Sequence, residues 1–129
     1  MADVLLLLTD LTFLARIRAA AEAVGLTCRR VTTVEDLLQH ARQQPPVAII
    51  FDLGQERLEP LRAIAALKAD AALRGIRTIG YFSHVREDVR AQARQAGCDL
   101  VLPRSAFVAQ LTELLREIAA DRIRTSGAP

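Results

Sequence analysis

The sequence predicts a doubly wound α/β domain, in which a five-stranded parallel sheet carries helices on both faces. Three observations carry that expectation. Short runs rich in Val, Ile and Leu recur along the chain, and stretches with helical spacing alternate with them. About half of the 129 residues are apolar, yet only 4% are aromatic. A core of Leu, Ala, Val and Ile suits helices packed on a central sheet.

The elements follow in order. Val4–Leu8 reads as a first strand, continuous enough to be buried on both faces. Leu14, Ile17, Ala21 and Val24 then form a helical stripe, closed by Gly25 in the place of a C-terminal glycine. A weaker strand, Thr27–Val31, carries Arg29 and Arg30 and is expected at a sheet edge. Thr33 is placed to cap a second helix, with Asp36 three residues on, and Pro45 and Pro46 stop it. Val47–Phe51 is a third strand and Leu58–Ala69 a third helix. Thr78–Phe82 is the fourth strand, followed by a helix over about Arg86–Ala96 that ends at Gly97. Leu100–Leu102 is the fifth strand, and Phe107, Leu111, Leu114, Leu115 and Ile118 line one side of a fifth helix. Strict alternation implies right-handed crossovers. The common order for five such strands is 2-1-3-4-5, with the first, third and fourth most buried. One domain is expected over residues 1–122, with a disordered tail over 123–129.

Several function classes recede. The formal charge is only +2, from 17 basic and 15 acidic residues, although the isoelectric point is about 8.9. That balance calls for no nucleic-acid partner. No apolar run is long enough to span a bilayer, and Val4–Leu8 is too short for a signal-peptide core and has no basic leader, so a cytoplasmic location with no membrane contact is expected. Cys28 and Cys98 have no Cys or His at metal-ligand spacing and read as free thiols. Thr9-Asp10-Leu11-Thr12 offers no Gly-rich turn for a nucleotide or flavin phosphate, and no Ser–His or Cys–His arrangement stands out, so no enzyme is expected.

In doubly wound folds ligands bind outside the carboxyl ends of the strands. Here those ends hold Thr9-Asp10, Asp52, Ser83-His84 and Arg104. The order Asp10, Asp52, Ser83, Arg104, each after a strand, resembles the receiver domains of two-component response regulators, from Asp3 to about Ala120. The resemblance implies a flavodoxin-like sheet and a role for each residue. Asp52 would accept a phosphoryl group, Asp10 and Asp52 would hold Mg²⁺, the Ser83 hydroxyl would sense the phosphoryl group, and Arg104 would stand where the family has a lysine. The chemistry needs these types, because an acyl phosphate forms on aspartate only when a metal and a cation neutralise the phosphoryl oxygens.

The chain departs from that pattern. Thr9 replaces the first acidic ligand, Pro103 precedes the cation instead of following it, and Val101 stands nearest the usual aromatic of the fifth strand. The loop Leu53-Gly54-Gln55-Glu56 lacks the family's Met-Pro. Mg²⁺ binding is therefore expected to be weak, and no other cofactor is expected. Plainer roles compete: Asp10 as a helix N-cap, Asp52 as a turn cap, Ser83 as a helix cap, and His40 and His84 as solvated residues rather than ligands. Arg86, Arg90 and Arg94, four apart, form a basic stripe that is either a solvated face or a docking surface for an acidic partner. The favoured reading is a stand-alone receiver-like signalling module that acts through protein–protein interaction on a partly degenerate site. The alternative is a working phosphoacceptor served by a histidine kinase at Asp52. Partners implied are that kinase or another protein, with a homodimer through the helix 4, strand 5 and helix 5 face as a candidate.

Overall fold

The computed structural model describes residues 2–83 and 87–126. Five strands, β1 (Val4–Leu7), β2 (Cys28–Val31), β3 (Ala48–Asp52), β4 (Arg77–Phe82) and β5 (Leu100–Pro103), alternate with α1 (Leu11–Ala23), α2 (Val34–Gln43), α3 (Pro60–Ala69), α4 (Glu87–Ala96) and α5 (Arg104–Ser126). All strand pairs are parallel, and the order is β2-β1-β3-β4-β5, as the sequence predicts.

Side-chain alternation splits the core in two. Leu5 and Leu7 of β1 and Ile49 and Phe51 of β3 pack against α2, α3 and α4. Val4, Leu6, Ala48 and Ile50 face α1 and α5, where Phe13, Ile17, Phe107, Leu111 and Leu115 meet them. Every residue of β1 and β3 is buried, whereas Arg29 of β2 is exposed, so β2 is an edge as expected.

Local chemistry fixes the helix ends. Gly25, at φ +79°, closes α1: its N–H donates to the Glu22 carbonyl and the Leu26 N–H to the Ala21 carbonyl, the paired bonds of a Schellman motif. Gly97, at φ +107°, closes α4 in the same way on Arg94 and Ala93. The Thr33 hydroxyl accepts the Asp36 N–H as N-cap of α2.

Two expectations need correction. The third helix does not run unbroken from Leu58; a 3₁₀ turn, Glu56–Leu58, precedes Glu59 at φ +50°, and α3 starts with Pro60 at its first position. The expected tail over 123–129 is helical through Ser126, because tertiary bonds hold α5 on: Arg122 donates to Asp3 at 3.3 Å and to the Gly25 carbonyl at 2.8 Å. Residues 127–129 lie outside the described residues, as does Arg86 at the expected start of the fourth helix.

Candidate functional site

The cleft at the C-terminal edge of the sheet is built from strand ends and helix starts. Asp52 is the last residue of β3 and only 6% exposed. Its Oδ1 accepts the Gly54 N–H at 3.0 Å. Burial pushes the Asp52 carboxyl up, the Gly54 N–H and the Arg104 charge pull it down, and Asp10 raises it again, with burial prevailing.

Asp10 caps α1, so its plainer role is real. Oδ1 accepts the Phe13 N–H at 3.0 Å, and Oδ2 accepts from Arg104 Nη2 at 3.2 Å. The Phe13 bond first and the Arg104 bond second hold its carboxyl below the usual range. Arg104 opens α5 directly after β5, and its guanidinium lies 4.1 Å above the Phe13 ring as it reaches Asp10. Its ion pair is with Asp10, while it acts on Asp52 through its field.

The remaining predicted residues lie less centrally. Thr9 and Ser83 are exposed at the rim. His84 and Arg86 fall outside the described residues. Arg94 is exposed, but Arg90 is half-buried and its Nε is out of solvent without a hydrogen-bond partner among the described residues, so the stripe is not uniformly solvated. The reason is the narrow seam of α4, whose inward residues Val89 and Ala93 lie beside that row. Cys28 and Cys98 are free thiols.

One residue of the cleft escapes motif reading. Tyr81 of β4 pairs in register with Asp52, is 1% exposed, and has a buried hydroxyl with no hydrogen-bond partner among the described residues. Its ring packs on Phe13, with centroids 4.9 Å apart, and stacks on Phe107 at 5.0 Å. Burial, then Asp52, raises its phenol well above the ordinary value, against the Arg104 charge. The available signal was strand parity, which places residue 81 on the same face as residue 52.

The donor set fits a divalent cation poorly. Thr9 brings no charge, both Asp10 oxygens are engaged, and one Asp52 oxygen is held by Gly54. Among the described residues no cluster of three or more His, Cys, Asp or Glu could hold a metal. What the arrangement retains is one desolvated carboxylate beside a bound-up cation.

No protein-family profile matches the sequence, and no curated protein matches it. Solved structures do. The receiver domain of a signal transduction histidine kinase from Syntrophus aciditrophicus superposes with a TM-score of 0.79 at 15% identity, covering 93% of this chain and 91% of that one. The receiver domain of a sensor histidine kinase from Pseudomonas aeruginosa, solved with a magnesium ion coordinated in its active site cleft, gives 0.77 at 20% identity over 92% and 98%. The Mn²⁺-bound response regulator Rcp1 gives 0.70 at 14% identity over 93% of each chain. Strand order, helix placement and near-complete mutual coverage agree: the chain has the receiver-domain fold of two-component response regulators.

Proposed function

We propose that the chain is a receiver-like signalling module that works through protein–protein contacts, with a partly degenerate phosphorylation site. The observation that carries this reading is the Arg104–Asp10 pair. In a receiver of the usual kind the second acidic residue after β1 holds Mg²⁺, whereas here its two oxygens serve a helix cap and a resident guanidinium. Mg²⁺ binding is then weak, and transfer to Asp52 slow, because the incoming phosphoryl group meets an anion without a metal to screen it. No catalytic turnover is assigned to the chain. Among the described residues no helix is long and apolar enough to cross a membrane, which accords with a cytoplasmic module. Its partners would be another protein or a histidine kinase, met through Arg90 and Arg94 of α4 or through a homodimer on the α4, β5 and α5 face.

The alternative, a working phosphoacceptor, is favoured by Asp52 alone, since it is buried at the strand end in the field of Arg104. Incubation with Mg²⁺ and a small phosphodonor, read by intact mass, decides between them. Little label is expected, and what forms should vanish in Asp52→Asn. Rapid stoichiometric labelling would overturn the proposal.

A further inference from the structure

We propose that Tyr81 is a positioning residue that reads the charge of the Asp10, Asp52 and Arg104 cleft and carries it to α1 and α5 through Phe13 and Phe107. The inference rests on the receiver-like reading of the cleft, in which a change of charge at Asp52, not efficient phosphoryl transfer, is the signal. A buried hydroxyl without a partner is a costly placement that a phenylalanine would avoid. Here the hydroxyl sits in the strand position paired with Asp52, on the same face of the sheet, and no described residue satisfies it. Its ring has the contacts a relay needs. Phe13 touches both Tyr81 and Arg104, with the Tyr81 ring centre 4.9 Å and the Arg104 guanidinium carbon 4.1 Å from its own ring centre, and its N–H donates to the capping carboxylate of Asp10. Phe107, near-parallel to Tyr81 at 20°, belongs to α5.

A change of charge at Asp52 alters the pull on Arg104, and movement of Arg104 uncovers Phe13. The phenol can then gain the acceptor it lacks at rest. The other routes out of the cleft are poor. Ser83 is exposed, and Val101 of β5 faces the opposite layer, towards α4, without an aromatic ring. Coupling should therefore run to the α1 and α5 face.

The chain has one tyrosine and no tryptophan, so its intrinsic fluorescence reports Tyr81 alone. Asp52→Asn, which removes the charge, should change that emission and shift the Phe13 and Phe107 amides in ¹H–¹⁵N spectra. Made in a Tyr81→Phe chain, the same substitution should move those amides several-fold less. Equal shifts in both backgrounds, or shifts confined to α3 and α4, would overturn the proposal. A purely structural Tyr81 predicts the first of these, with only a gain in thermal stability from losing the orphan hydroxyl. If Tyr81→Phe failed to fold, Phe107→Leu serves instead: the α5 shift should disappear while the Phe13 shift persists, and survival of both would count against the relay. Phosphodonor labelling tests the functional reading separately, and its outcome leaves this comparison standing.

Discussion

Asp99 offers the sharpest energetic prediction, because one of its oxygens completes the sheet. The β4–β5 ladder begins at Ile79 and Leu100, which leaves the N–H of fully buried Thr78 without a strand partner. Asp99 Oδ2 takes that N–H at 2.8 Å, the Thr78 hydroxyl at 3.0 Å and Lys68 Nζ at 3.1 Å. Truncation in Asp99→Ala strands a buried donor, at about 1–3 kcal/mol. The Lys68 pair adds only about 0.5 kcal/mol, since the Asp99 side chain is 47% exposed and Lys68 keeps the Arg74 and Ile76 carbonyls. The expected loss is about 1.5–3.5 kcal/mol, or a urea midpoint lowered by roughly 1 M in a two-state transition followed by circular dichroism. A pH test isolates the charge. Burial raises the Asp99 carboxyl, but the Thr78 N–H, Lys68 and the Thr78 hydroxyl outweigh it and hold it below the usual value. Its ionised form thus stabilises the fold above the unfolded carboxylate range, and the benefit over Asp99→Asn should fade as pH drops through the lowered folded value. A midpoint unmoved by Asp99→Ala, or an Asp–Asn difference that persists in strong acid, would refute the account.

Gly80→Ala should cost about 1–3 kcal/mol in thermal or urea unfolding, because its Cβ would stand 2.6 Å from Leu53 Cδ1 and 2.9 Å from Cγ; made in a Leu53→Ala background, itself destabilised, the same substitution should cost less. Burial pushes the Cys28 thiol up to about 11, so its reaction with a disulfide reagent should stay slow at neutral pH and accelerate only as pH approaches that value; the buried Cys98 thiol, also raised, should be slower than a free thiol until unfolding. Thr9→Asp should raise Mg²⁺ affinity modestly, measured by calorimetry, and Thr9→Asp with Arg104→Met should exceed the sum of the single effects, since only the pair both adds a carboxylate and releases Asp10. Strict additivity would mean that Arg104 does not withhold Asp10 from the metal.

The fold was legible because its signals are local and periodic. Strand runs, the glycines at 25 and 97, and the Thr33 cap each report a backbone requirement that needs no tertiary partner. Boundaries failed where long-range contacts decide. α5 persists through Ser126 because Arg77 pairs with Glu117 and Asp121 across the sheet's lower edge and Arg122 anchors at Gly25, none of which leaves a trace in neighbouring residues. Within the site, topology brought Asp10, Asp52 and Arg104 to one edge as expected, but not the choice of partner: that Arg104 would take Asp10 depends on the Phe13 ring beneath it. Tyr81 was hidden because an aromatic in a buried strand, here beside Phe82, reads as core.

The departures at Thr9, Pro103 and Arg104 look like separate losses along the chain, yet in the fold they act together. Pro103 ends β5 and Arg104 begins α5 with no loop between them, so the side chain leaves the first turn of a helix beside the cap of another. From there a guanidinium lies over Phe13 and points one nitrogen at Asp10; an ammonium is a compact point charge and lacks the extended fork that does both. With Thr9 neutral, Arg104 balances Asp10, and Asp52 is left as the remaining carboxylate, whose charge burial already disfavours. These three side chains leave the cleft with a single net negative charge. A metal entering it would have to displace an ion pair, a cation–π contact and part of a helix cap at once, so restoring any one family residue alone recovers little of the receiver chemistry.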